Sequence, residues 1–387
     1  MTSRIAATVQ GIPRSGIREF FEIVQSMDDV ISLGIGEPDF ITPWHIREAA
    51  IYSLERGKTS YTSNLGAPRL RKSIATYAEK HFGIAYCADN EILVSIGVSE
   101  AIDLALRAIL NPGDEVIYHE PSYVSYGPTI TLAGGHAIAV ATKAGDDFIL
   151  RAADLEKKIT SRTKALMMNF PNNPTGATMP EEELKKIAEV CKRHDLLLLT
   201  DEIYSELTYD GLPHPSVVAL PGMRERTILL HGVSKAFAMT GWRIGFACGP
   251  SDVIEAMMKI HQYSILCAPV MGQEAAVEAL EHGEQSVIRM REEYQRRRNF
   301  IVAALHKHKI KCSMPGGAFY VFPNITSTGL TSKNFSRQLL YEKKVAVVPG
   351  TAFGASGEGF VRCSYATSME QLEIAMKRIG EFVDEKR

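Results

Sequence analysis

Short, continuous apolar runs that alternate with helical patterns constrain this chain more than any other feature. Glu91-Ile-Leu-Val-Ser95, Glu115-Val-Ile-Tyr118, Lys164-Ala-Leu-Met-Met168, Leu196-Leu-Leu-Leu-Thr200 and Thr227-Ile-Leu-Leu230 lack the polar–apolar alternation of a half-solvated strand. Strands of that kind are buried on both faces, and helices between them make parallel neighbours. A helix is expected over residues 98–110, stopped by Asn111-Pro-Gly113. Another follows Pro171-Asn-Asn-Pro-Thr-Gly176, with Thr178 as N-cap, Pro180 in the first turn and Glu181 completing a capping box. In it Leu184, Ile187, Ala188 and Cys191 share one face. The expected fold class is α/β, with a mostly parallel central sheet covered by helices.

With 387 residues, the chain has room for two or three domains at about 150 residues each. Residues 46–275 read as a large domain. The charged helical stretch over residues 289–298, Gly317-Ala-Phe-Tyr-Val-Phe322 and Val345-Ala-Val-Val348 suggest a smaller α+β lobe, built from residues 1–45 and 276–387. The 43 Lys and Arg against 45 Asp and Glu leave no basic excess, which argues against a nucleic-acid partner. Cys87, Cys191, Cys248, Cys267, Cys312 and Cys363 are too scattered for a zinc motif or a disulfide framework. Neither a signal-peptide pattern nor an apolar run of membrane-spanning length is present, and the reading is a cytoplasmic protein without a metal or a membrane partner.

In open α/β sheets, ligands bind beyond the carboxyl ends of the strands. Those ends here carry Gly97-Val98-Ser99, Tyr123, Asn173, Asp201 with Tyr204, and Ser234-Lys235. Taken singly, each has an ordinary reading as a turn, a cap or a solvated lysine. Taken together they suit one ligand. A helix start with free amides favours a phosphate, and Arg243 can add a bidentate clamp. Tyr123 offers a flat face to an aromatic ring. Asp201 needs a cationic partner, Asn173 and Tyr204 can serve a ring oxygen, and Lys235 can condense with an aldehyde. A Lys and Asp pairing of this kind marks pyridoxal phosphate sites.

The segment Ser234-Lys-Ala-Phe-Ala-Met-Thr-Gly-Trp-Arg-Ile-Gly245 resembles the lysine motif of class I pyridoxal-phosphate aminotransferases at every informative position. Pro171-Asn-Asn-Pro-Thr-Gly176, Asp201-Glu-Ile-Tyr204, Val348-Pro-Gly-Thr-Ala-Phe353 and Val361-Arg-Cys-Ser-Tyr-Ala366 match further blocks in order. Gly34-Ile-Gly-Glu-Pro-Asp-Phe40 and Tyr61-Thr-Ser-Asn-Leu-Gly66 extend the match toward the N-terminus. The resemblance covers essentially the whole chain. It is nearest the aspartate/aromatic aminotransferases of bacteria and archaea, and it implies their fold type I architecture.

That resemblance implies a role for each residue. Lys235 would carry pyridoxal 5'-phosphate as a Schiff base and, once freed, act as the general base. Asp201 would keep the pyridine nitrogen protonated, while Asn173 and Tyr204 would bond the ring oxygen. Lys235, Asp201 and Tyr204 are the catalytic candidates. Tyr123 would cover the ring, and the amides of Val98, Ser99 and Glu100, with Ser234 and Arg243, would hold the phosphate. Tyr61 would reach the phosphate in a partner subunit, implying a homodimer. Arg362 would grip the substrate carboxylate beside Gly36, Tyr123 and Asn173. The implied reaction is ping-pong amino transfer between an aspartate- or aromatic-type amino acid and 2-oxoglutarate.

One position departs from the family, because Gly232 stands where classical aspartate enzymes carry a phosphate-binding serine. The main rival is a C–S lyase or cyclising synthase of the same fold; a cofactor-sensing regulator would need a DNA-binding module for which no residues are left. On residues 98–110, Asp103 and Arg107 form an ordinary i,i+4 pair in one reading. In the other, Arg107 reaches a shared pocket and meets a distal substrate carboxylate.

Overall fold

The computed structural model describes residues 4–14 and 27–387; residues 1–3 and 15–26, part of the stretch assigned to the small lobe, lie outside the described residues. The strands, in chain order, are β1 (Ile31–Ser32), β2 (Ile92–Ser95), β3 (Glu115–Glu120), β4 (His136–Ala141), β5 (Thr163–Asn169) and β6 (Leu197–Asp201). They continue with β7 (Thr227–Gly232), β8 (Gly245–Cys248), β9 (Tyr320–Val321), β10 (Val345–Ala346), β11 (Val348–Pro349) and β12 (Val361–Ser364).

Seven of these form the central sheet in the order β2-β8-β7-β6-β5-β3-β4. The five apolar runs became β2, β3, β5, β6 and β7, and side chains along β2 and β7 are buried throughout, as a sheet covered on both faces requires. β8 pairs antiparallel with both β2 and β7, so the sheet is mixed, with the remaining strands running one way. Three apolar clusters fill the layers around it, one of them joining Ile46, Leu70 and Ile74 to Val94 and Phe246.

One local expectation needs correction. The helix after β5 spans Glu181–Arg193, with Pro180 at the N-cap and no side-chain cap, so the Thr178 capping box does not form. Pro180 sits at φ −65° and ψ 138°, and Glu181, Glu182 and Glu183 supply the negative charge that the first turn favours. The Leu184, Ile187, Ala188 and Cys191 face is buried as expected. The Val345-Ala-Val-Val348 run is shared between two small sheets. β10 pairs parallel with β1, whereas β11 pairs with β12, which in turn pairs with β9.

The charged helix spans Glu284–Lys307 and turns two of its arginines inward. Arg297 Nη1 donates to Asp39 at 2.8 Å, and Arg298 holds Asp210 through both terminal nitrogens at 2.7 and 2.8 Å. The first pair pins the loop that carries Gly34 and Gly36.

Three glycines join the sheet to the helix that follows β2, Gly97–Ile109. Gly232 and Gly245 face each other across β7 and β8. A Cβ on Gly232 would lie 2.9 Å from Gly245 Cα and from the Ile244 carbonyl oxygen, so the backbone leaves no room for serine there. A Cβ on Gly245 would come within 2.5 Å of the Val98 amide nitrogen, and Gly97 adopts φ +68°. Gly245→Ala should therefore lose about 1–3 kcal/mol through overpacking. An unchanged urea midpoint would show slack at this junction.

Candidate active site

The carboxyl ends of β2, β5, β6 and β7 open into a cavity of about 1140 Å³. Gly36, Val98, Ser99, Tyr123, Asn173 and Asp201 line it, as do Tyr204, Ser234, Lys235, Arg243 and Arg362. Two sequence candidates do not. The Glu100 side chain turns away, accepting from the Ile96 amide at 2.5 Å and pairing with His261 at 2.8 Å. Tyr61 is 82% exposed on another surface. Arg107 lies outside the cavity too, pairing with Asp103 at 3.4 Å in the i,i+4 arrangement.

Asp201, the last residue of β6, is buried. Its Oδ2 accepts from the Tyr126 hydroxyl at 2.7 Å and its Oδ1 from the Ile203 amide at 3.2 Å. Burial pushes its carboxyl up to about 6, and these two donors only partly pull it back. A carboxylate in that position is short of positive charge. Asn169, ending β5, donates from Nδ2 to the Asp201 carbonyl at 2.7 Å and accepts the Asn173 amide at 3.2 Å. One asparagine thus locks two site residues together.

Lys235 Nζ donates to the Gly36 carbonyl at 2.7 Å. Burial brings its ammonium down to about 8, against the pull of Glu37. Tyr204 and Tyr320 share a hydroxyl–hydroxyl hydrogen bond at 2.9 Å, and burial pushes the Tyr204 hydroxyl well up. Arg362 reaches Asn173 Oδ1 at 2.8 Å and the Gly34 carbonyl at 2.5 Å. Tyr320 and Phe353 lie 4.5 and 4.8 Å from its guanidinium carbon and hold the fork in plane. Its buried Nε has no partner among the described residues. Arg243 adopts φ +55° and donates from Nη1 to Thr240 at 3.0 Å, with its guanidinium against Gly97.

Tyr126, Asn169, Gly34 and Tyr320 were missed in the sequence. Asn169 had a readable signal as a polar residue closing an apolar run. Tyr126 had only its spacing of three from Tyr123.

The family model for "Aminotransferase class I and II" matches residues 28–379. The chain belongs to the class I and II aminotransferases. This aminotransferase is 46% identical over 375 residues to the aspartate aminotransferase of Pyrococcus abyssi, covering 96% of both chains. It is 44% identical over 375 residues to aromatic-amino-acid aminotransferase 2 of Thermococcus litoralis, again covering 96% of each. The crystal structure of the aromatic aminotransferase from Pyrococcus horikoshii superposes with a TM-score of 0.91 at 45% identity, covering 95% of this chain and 99% of that one. The enzyme is a pyridoxal-phosphate-dependent transaminase of fold type I.

The residues present fit that cofactor. The glycine junction exposes a helix start beside Arg243, as a phosphate needs. Asp201 lacks the positive charge a protonated ring nitrogen would bring, and Lys235 is part-buried with a depressed ammonium, suited to an aldehyde. Removing the Tyr126 hydroxyl should raise the Asp201 carboxyl further. In Tyr126→Phe apoprotein, ¹³C NMR titration should place its midpoint above the wild-type value near 6; an equal midpoint would mean the hydrogen bond carries no weight.

Proposed function

We propose that this aminotransferase moves the amino group of aspartate- or aromatic-type L-amino acids to 2-oxoglutarate in a ping-pong reaction, with Lys235 as the cofactor's covalent anchor. The observation that carries the reading is one cavity lined by the part-buried Lys235 and the buried Asp201 and Arg362. The named activities of the Pyrococcus abyssi and Thermococcus litoralis relatives support the substrate types.

When bound, pyridoxal phosphate supplies an aldehyde that takes up the amino group and a ring that accepts the electron pair left at the α-carbon. The remaining work belongs to side chains. Arg362 binds the substrate α-carboxylate, with Asn173 and the Gly36 backbone at its side. Lys235, with its ammonium lowered to about 8, is partly unprotonated near neutral pH and moves the proton from the α-carbon. Asp201 holds the proton on the ring nitrogen. Tyr204 and Asn173 bond the ring oxygen, Tyr204 being steadied by Tyr320. Tyr123 covers the ring face. The amides of Val98, Ser99 and Glu100, with Ser234 and Arg243, bind the phosphate; Gly232 leaves no hydroxyl to help them.

The same reading assigns residues 46–275 to the large domain and the two terminal stretches to the small one. An apolar cluster uniting Ile31 and Leu33 with Ile301, Phe335, Val345 and Phe382 draws most of its members from the terminal stretches, and Ile203, Tyr204, Leu207, Tyr209 and Ala238 join it from the large domain. A homodimer would give Tyr61, which does not line the cavity of its own chain among the described residues, a partner's phosphate to reach. Trp44, Ile51, Tyr52 and Leu54 on the Trp44–Glu55 helix leave apolar surface exposed, as do Tyr263, Ile265 and Leu266 near the Asn64–Leu266 hydrogen bond. Among the described residues no helix is long and apolar enough to cross a membrane. All six cysteines are free thiols, which suits a cytoplasmic setting.

Borohydride reduction of the yellow holoenzyme should fix the cofactor on the peptide containing Lys235, and a label on another lysine would overturn the assignment. Initial rates with aspartate and 2-oxoglutarate should give parallel double-reciprocal lines. Pyruvate and ammonia released without an acceptor would instead mark a lyase. Asp201→Asn should cost the chemical step about 2.7–4 kcal/mol, and near-normal kcat would remove Asp201 from the mechanism. Arg362→Lys keeps the charge but not the planar fork. It should raise KM for both amino and oxo acids with a loss of about 1.5–3 kcal/mol in kcat/KM.

A further inference from the structure

The helix start that faces the cavity carries a hydrogen-bonded pair that the proposed chemistry leaves unused. Glu100 stands in the first turn of the Gly97–Ile109 helix. Both of its carboxylate oxygens are engaged: Oε2 accepts from the Ile96 amide at 2.5 Å, and Oε1 meets His261 Nδ1 at 2.8 Å. His261 comes from a separate helix, Ser251–Ser264, and its side chain is fully buried. Its Nε2 is buried as well and has no partner among the described residues.

A buried imidazole with one unpartnered nitrogen is a costly way to fill the space between two helices. Ile254 and Met257, from the same helix as His261, pack there in an apolar cluster with Ile102 and Leu106, and leucine at 261 would leave no polar atom orphaned. What histidine supplies and leucine would not is the hydrogen bond to Glu100. That carboxylate needs holding. The unpaired amides of a first turn attract any anion, and Ile96 at the N-cap offers no side-chain hydrogen bond to occupy them. The Arg243 guanidinium stands over the same turn, so close that a Cβ on Gly97 would run into it. A loose carboxylate in this turn is drawn to the very groups that a phosphate requires. Held on the Ile96 amide, it satisfies a donor for which the phosphate has no use.

We propose that His261 is a positioning residue for the phosphate of the cofactor. By donating from Nδ1 to Glu100 it fixes the carboxylate on the Ile96 amide, which leaves Arg243 and the amides of Val98, Ser99 and Glu100 to the phosphate. The inference rests on the reading that the phosphate sits at this helix start. His261 itself does not line the cavity and acts only through Glu100.

The test compares the binding of pyridoxal phosphate and of pyridoxal, which lacks the phosphate, to the full-length enzyme freed of cofactor, followed by calorimetry. The wild type should bind the phosphorylated form more tightly. His261→Leu should lower the ratio of the two affinities by roughly tenfold or more, the size of a lost charge-assisted contact. Adding Glu100→Gln to His261→Leu should restore the ratio, because the competing charge is gone while the backbone amide remains. His261→Asn, whose amide can donate from the place of Nδ1, should keep most of it. Inorganic phosphate, used as a competitor of pyridoxal phosphate, should weaken in the same order. If His261→Leu does not fold, His261→Gln takes its place, with its donor displaced from the Nδ1 position. Equal losses for both ligands, or a ratio that Glu100→Gln fails to restore, would reduce His261 to packing and leave the phosphate site standing. A wild type that binds both forms equally would instead refute the phosphate site itself.

Discussion

The site is organised around a negative charge that the sheet has no means of solvating. Asp201 ends β6 in the interior, with one tyrosine hydroxyl and one backbone amide as its donors. A buried carboxylate so placed is costly unless a cation completes it, and burial accordingly lifts it to about 6. Much nearby architecture keeps that charge in place. Asn169 binds its backbone, Tyr126 binds its oxygen, and the strand pairing Asn169↔Asp201 sets the two side by side. A protonated pyridine nitrogen would bring the charge that completes this arrangement, and Lys235 opens into the same cavity.

The second requirement is that the chain's distant parts meet at this point. Gly34 and Gly36 come from the N-terminal stretch, Asn173 and Lys235 from the loops after β5 and β7, and Arg362 from β12. Their carbonyl, amide and guanidinium contacts join stretches far apart in the chain. Arg297, from the long charged helix, fixes Asp39 and with it the glycine loop. A helix that is highly charged in the sequence therefore helps to fix the glycine loop.

What could be read in advance follows from how local each signal is. Doubly buried strands carry uninterrupted apolar runs, so β2, β3, β5, β6 and β7 were visible. β4 was not, because this edge strand is half-exposed and built of His136, alanines and two branched residues. β8 was hidden inside the lysine motif, and its antiparallel direction depends on close glycine packing rather than on any pattern of its own. The Thr178 capping box failed because proline and three glutamates begin the helix later. Among site residues, those at strand ends or in motifs were legible. Tyr126 and Tyr320 were not, since their roles arise from contacts with Asp201 and Tyr204 that lie 75 and 116 residues away in the chain.

The central claim is that Asp201 keeps a positive charge on the cofactor's ring nitrogen. The most direct measurement is the ¹⁵N NMR shift of ring-labelled pyridoxal phosphate in the holoenzyme, followed from acid to alkaline pH. A protonated nitrogen across the range in which Asp201 is ionised, lost in Asp201→Asn, is the predicted result. An unprotonated nitrogen in the wild type, or the same spectrum in both proteins, would contradict the account.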